Sequence, residues 1–298
     1  MNVSPLISLL SPRREIFFLT SSALLLGICA LWPARAQPAQ PPATVSATRQ
    51  ESNDVRVHLL RSEFQAGPTE VRVLLPSSLD AQRRHRCLYV LPVEAGRGSR
   101  YGDGLREIQR LGLHEKYRLI CVGPTFSALP WYADHPSDPR VRQESYFLQD
   151  VVPLVDRTYP TRSEPAGRWL VGFSKSGWGA FSLLLRHPDV FGKAAAWDAP
   201  FAVDRPVSFG MGTIFATQEN FEQYRITALV RRSAGRLGPE PRLLHLGYGN
   251  FREHHQSLER LLAEWNVPHV YRDGPKREHT WSSGWLEEAV EALAAVAN

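Results

Sequence analysis

From residue 54 onward, short apolar runs alternate with stretches whose apolar residues return every three or four positions. "VRVHLL" (55–60) and "TEVRVLLP" (69–76) alternate polar and apolar residues, the pattern of strands that can pair antiparallel. "CLYVLPV" (87–93), "RLICVGP" (118–124), "RWLVGF" (168–173), "KAAAWDAP" (193–200), "RLLHLGYG" (242–249) and "HVYRDGP" (269–275) are mostly apolar throughout. Such runs suit strands covered on both faces in a parallel sheet. Between them lie four helical stripes: Phe147, Val151 and Leu154; Phe181, Leu184 and Leu185; Leu258, Leu261, Leu262 and Trp265; and Leu286, Val290 and Leu293. The alternation predicts an α/β fold, a mostly parallel sheet with helices on both faces. Residues 201–240 interrupt it with "FGMGTIFATQENFEQYRITALV", an insertion placed to cap a cleft.

The first 53 residues follow a different pattern. Arg13 and Arg14 precede an apolar run from Ile16 to Leu31, and Ala34-Arg35-Ala36 follows, which are the three regions of a secretory signal over residues 1–36. The 16-residue run is shorter than the roughly 20 residues a membrane span needs, so cleavage and export to the periplasm or exterior are expected, with no stable span afterwards. "SPRREIFF" resembles a twin-arginine signal, with Pro12 off the pattern. Residues 37–53, rich in proline and small polar residues, read as a flexible linker, with one domain over 54–298.

Charge and cysteines remove several function classes. The net charge is +5, of which residues 1–36 carry +2, leaving +3 on scattered arginines; no basic block interleaved with aromatics points to nucleic acid. Cys87 and Cys121, the two cysteines beyond the signal, are too few for a disulfide framework and have no metal-ligand spacing, so buried free thiols are expected. No phosphate loop or dinucleotide fingerprint is present, and the expectation is an enzyme without cofactor or metal.

"RWLVGFSKSGWGAF" (168–181) carries the candidate chemistry. A serine among small residues, between an apolar strand and an amphipathic helix, fits a nucleophile elbow, where a strained turn holds the hydroxyl above the sheet. A Gly/Ser turn that merely packs a helix on a strand would share this composition. The helix N-terminus after Ser174 favours developing negative charge, with the Lys175 amide as one oxyanion donor. A serine needs a base. Of ten histidines, His279 in "RDGPKREHTW" lies on a loop after the last strand, at the edge of the sheet where Ser174 stands. His254 and His255 are expected to face solvent, and His245 and His187 to be structural.

These residues resemble the putative-esterase family of α/β hydrolases, which includes esterase D-like enzymes, feruloyl esterases and mycolyltransferases. The likeness rests on "GFSKSGWGA", "LLHLGYGNF", "LERLLAEWNVPHVYRDGP", "REHTW" and the segment "WYADHPSDPRVRQESYFLQDVVPLVDRTYPT", and covers most of residues 55–298. It implies Ser174 as nucleophile, His279 as base, and acyl transfer to water or another alcohol. Two positions depart from the family. Its usual His-Gly pair is replaced in "VLPVEAGRG", where Pro92 cannot donate and the Val93 or Glu94 amide would serve instead. Asn250 stands where the family has its acid. Asp198, at the rigid end of "AAWDAP", is the preferred carboxylate for His279, unless it only caps the following turn; Glu253 is the rival.

Trp131, Tyr132, Trp178 and Trp281 fall near these segments and are expected to line a substrate cleft, with packing in the core the alternative for Trp178 and Trp281. The expected substrate is a small-molecule or carbohydrate-linked ester. A non-catalytic binder of an envelope or carbohydrate ligand is the alternative, favoured if no carboxylate lies near His279.

Overall fold

The computed structural model describes residues 43–51 and 54–295. The signal at 1–36 lies outside them. Among the described residues, nine strands form one sheet in the order β1-β2-β3-β5-β4-β6-β7-β8-β9. They are β1 (Thr44–Gln50), β2 (Val55–Arg61), β3 (Thr69–Leu74), β4 (Cys87–Val90), β5 (Ile120–Pro124), β6 (Arg168–Phe173), β7 (Lys193–Trp197), β8 (Leu243–Tyr248) and β9 (His269–Lys276). The ladders from β1 through β3 to β5 are antiparallel, and those from β5 through β4 to β9 are parallel.

Residues 44–50 correct the linker expectation, since they form a strand of the sheet, while residues 37–42, 52 and 53 of that call lie outside the described residues. Every residue of β1 is exposed, so neither face needs apolar side chains and no alternation marks it. Its backbone ladder to β2, from Thr44 opposite Arg61 to Gln50 opposite Arg56, holds it, and its threonines and valine suit extended backbone.

Helices cover both faces. On one lie α1 (Gly104–Arg110), α2 (Leu113–Lys116) and, at the end of the chain, α10 (Trp285–Ala295). The other face carries α3 (Gln143–Tyr146), α4 (Val152–Thr158), α5 (Ser174–Arg186), α6 (Gly212–Phe215), α7 (Gln218–Tyr224), α8 (Ile226–Ser233) and α9 (Arg252–Glu264). Strand alternation sorts side chains between the layers: Cys87 and Tyr89 point into the second, Leu88 and Val90 into the first. Cys87 and Cys121 are both buried and free, and they belong to opposite layers.

The helical stripes are buried as their period predicts, with two differences. A π-helical turn over Phe147–Val151 joins α3 to α4, adding a residue to the turn and still burying Phe147, Val151 and Leu154. Trp265, at the C-terminal end of α9, is 41% exposed. The 201–240 insertion folds as α6–α8 onto the core through Met211, Phe215, Phe221 and Val230, while its tip leaves Val207 82% and Phe209 52% exposed.

Candidate active site

β6 ends at Phe173 and α5 begins at once, so Ser174 takes the whole bend, with φ +52° in the left-handed region that side chains disfavour. The bend leaves no room at two neighbours. A Cβ on Gly172 would lie 2.5 Å from the Ser176 carbonyl, and one on Gly177 would lie 3.0 Å from the Ala199 methyl. Ser176, the serine where the usual motif has its final glycine, is fully buried. Its Oγ accepts from Phe173 N (3.1 Å) and donates to Phe173 O (2.9 Å), pinning the backbone before the bend.

The end of β7 supplies the next group. The Ser174 amide donates to the Asp198 carbonyl at 3.1 Å. The Asp198 side chain, itself at φ +42° and 1% exposed, meets His279 Nδ1 through Oδ2 at 2.5 Å. Its Oδ1 accepts from the Asn250 and Phe251 amides at 2.6 and 2.8 Å. Burial alone would raise this carboxyl's pKa; the His279 bond and the amides of the 249–251 loop more than reverse that, so it is held below its ordinary value. Asp198 thus both partners His279 and caps the entry to α9. Gly249 allows the approach, since a Cβ there would come within 2.6 Å of Asp198 Oδ2.

His279 packs edge-on against Phe173 (5.0 Å between ring centroids) and Tyr101 (5.4 Å), beside the elbow. No hydrogen bond links its ring to the Ser174 hydroxyl among the described residues, a contact that often closes only around substrate. Asn250 contributes its main-chain amide and not its side chain, while Glu253 is exposed in the first turn of α9.

Lys175 lies in the first turn of α5, where amides lack helical acceptors. Burial lowers the pKa of its ammonium, and the Glu94 carboxylate opposes that shift, which sets Glu94 within electrostatic reach of the elbow. Val93 and Glu94 follow β4 and border a cavity of about 60 Å³ with Trp281. Tyr132, unusual at φ +56°, donates from its hydroxyl to the Pro92 carbonyl at 2.6 Å and so fixes this loop.

Trp131, Tyr132 and Trp178 do not line an open cleft, and Trp281 borders only the small cavity beside Val93 and Glu94. Trp131, Tyr132 and Trp178 are fully buried and Trp281 is 3% exposed. Trp131 and Trp178 meet edge-on at 5.5 Å beneath the insertion, and Trp281 packs on Phe173 and Trp197. Large apolar rings fill the floor under the site because the elbow helix and the insertion need a close-packed support. The exposed Phe209 contacts Phe251 at 5.6 Å, and Phe251 in turn lies 6.1 Å from His279. Phe209 stood in the quoted insertion, but nothing local to the sequence joins residue 209 to residue 251.

The other histidines correct one expectation. His255 is fully buried, with Nε2 accepting from the Ala199 amide at 3.0 Å. It falls three residues before Leu258 and seven before Leu262, on the apolar stripe of α9. His254 is half-buried and accepts from the Ala202 amide. His187 bonds Glu144 at 2.6 Å, as a structural histidine does.

Residues 126–251 match the family model described as "Putative esterase". No curated protein matches the chain. Among solved structures it is similar to FphF, a fluorophosphonate-binding serine hydrolase of Staphylococcus aureus. That likeness has 17% identity and a TM-score of 0.66, covering 87% of this chain and 100% of that one. An S-formylglutathione hydrolase from Agrobacterium tumefaciens aligns at 16% identity and TM-score 0.64 over 86% and 100% of the two chains. A ferulic acid esterase aligns at 20% identity and TM-score 0.62 over 82% and 97%. The chain thus has the α/β-hydrolase fold, and its residues 126–251 are similar to the putative-esterase family.

Proposed function

We propose that the chain is an exported ester hydrolase or acyltransferase that works through an acyl-enzyme on Ser174. The observation that carries this reading is the 2.5 Å bond between Asp198 and His279 beside the left-handed turn at Ser174. Asp198 holds the Nδ1 proton of His279, which leaves the Nε2 lone pair to take the Ser174 proton as Oγ attacks the ester carbonyl. The oxyanion forms within reach of the Lys175 amide and the Val93 or Glu94 amide. Collapse expels the alcohol, protonated by His279, and leaves the acyl group on Oγ. Water or a second alcohol, deprotonated by the same nitrogen, then releases the acid or a new ester and restores the serine.

The exposed Phe209 beside Phe251 suits an apolar acyl or aryl group at the mouth of the site. Export rests on the charged, apolar and small-residue regions of 1–36. The non-catalytic binding alternative called for a His279 without a carboxylate, whereas Asp198 is bonded to it.

The test is turnover of short p-nitrophenyl esters with labelling by a fluorophosphonate. Wild type should hydrolyse the esters and take the label, and Ser174→Ala should do neither while keeping the wild-type circular dichroism. Equal turnover by the two proteins would reject Ser174.

A further inference from the structure

His245 on β8, Glu259 on α9 and His269 on β9 converge at the sheet edge and share no residue with the Ser174 site. Two imidazole nitrogens and one carboxylate oxygen lie within 4.8 Å of one another. His269 Nδ1 faces the Val267 carbonyl at 2.7 Å, so its proton belongs there and the Nε2 lone pair is turned toward Glu259. Nε2 then stands 2.6 Å from Glu259 Oε2, and two electron-rich atoms that close need a proton or a cation between them.

His245 is the second, independent observation. It is 0% exposed, and neither ring nitrogen has a hydrogen-bond partner, although Nε2 points at Glu259 Oε2 from 3.4 Å. A buried imidazole with two unpaired nitrogens is costly unless something supplies a bond. Tyr271 stacks on it at 4.5 Å and His255 at 5.5 Å, which fixes the plane of the ring.

We propose that His245, Glu259 and His269 form a binding site for one divalent transition-metal ion of the zinc type. Two neutral imidazoles and a carboxylate are the donor set that borderline ions take, and bond lengths of about 2.0–2.2 Å place tetrahedral ligand atoms about 3.3 Å apart. The 3.4 Å contact already has that spacing, and the 2.6 Å contact opens by a small rotation of Glu259, whose side chain is 33% exposed. The partly exposed Glu259 and His269 give the ion its way in and leave a fourth position for water. The ion would clamp α9 to β8 and β9, a structural role independent of ester chemistry.

Zinc chloride titrated calorimetrically into the EDTA-treated, desalted protein tests this. Wild type should bind one equivalent and melt at a higher temperature with zinc present. Glu259→Gln and His269→Gln, both at partly exposed positions, should fold as judged by circular dichroism and bind about 100-fold more weakly. Cobalt(II) should give visible d–d absorption in wild type and not in the variants. No stoichiometric uptake by wild type, or wild-type affinity in either variant, overturns the site.

Discussion

At the scale of single residues, the identity of the acid turns on a main-chain bond. Asn250 sits where an acid is expected, yet it donates its amide to Asp198, and Asp198 faces His279. Asp198→Asn should therefore lower kcat by about 10⁴-fold, the loss typical when the histidine is left in the wrong tautomer. Asn250→Ala keeps its amide, Glu253→Gln lies outside the site, and both should stay within a few-fold of wild type in the same assay. Ser176 offers a second test. Its hydroxyl satisfies Phe173 in a fully buried setting, so Ser176→Ala should cost about 1–3 kcal/mol in a urea melt, and an unchanged midpoint would refute that role. The meeting of His279 with Asp198 beside the Ser174 turn was legible, because Ser174 and Asp198 directly follow apolar runs and His279 lies on the loop after the last one. The 249–251 amides were not, because every residue type carries the same backbone donor.

At the scale of elements, the strand-and-helix alternation was readable because each buried face imposes its own period. β1 escaped reading since it is exposed on both faces, and the π turn escaped since it shifts a helix by one residue without changing which side chains are apolar. The aromatic residues near the site were found, but their direction was not: composition alone does not say whether a tryptophan faces a cleft or the floor beneath it. That distinction predicts opposite outcomes. Trp131→Ala should lower stability by about 3–5 kcal/mol, as a large core truncation does, measured by denaturant melting. Phe209→Ala should leave the melt unchanged and raise KM for aryl or long-chain esters more than for acetates. Unaltered selectivity would remove Phe209 from the site.

At the scale of the whole molecule, one buried acid ties three parts of the chain together. Glu144, 6% exposed, accepts from Arg186 at the end of α5 at 2.6 and 2.9 Å, bonds His187, and meets the Tyr224 hydroxyl of α7 at 3.2 Å. Burial raises its pKa, but His187 and Arg186 outweigh burial and leave it depressed. A depressed folded-state pKa adds stability above the ordinary glutamate range, and that stability fades as pH falls through the depressed value. Glu144→Gln should thus cost about 3 kcal/mol at neutral pH, and the gap from wild type should narrow on acidification. A gap independent of pH would show that packing and not charge is what the residue supplies. Such long-range ties are invisible in sequence, where residues 144, 186 and 224 stand in separate helical patterns.

The two buried thiols lie on opposite sides of the sheet, Cys87 beneath the layer that holds the elbow helix and Cys121 beneath the layer closed by the C-terminal helix. Each can meet a water-soluble alkylating reagent only when its own side opens. The pair therefore serves as a two-channel clock for unfolding, with single Cys→Ser variants assigning the channels. Equal labelling rates would mean that both layers open in one cooperative event. Faster modification at Cys121 would mean that the layer of α1, α2 and α10 opens first, while the side of the elbow helix is still closed.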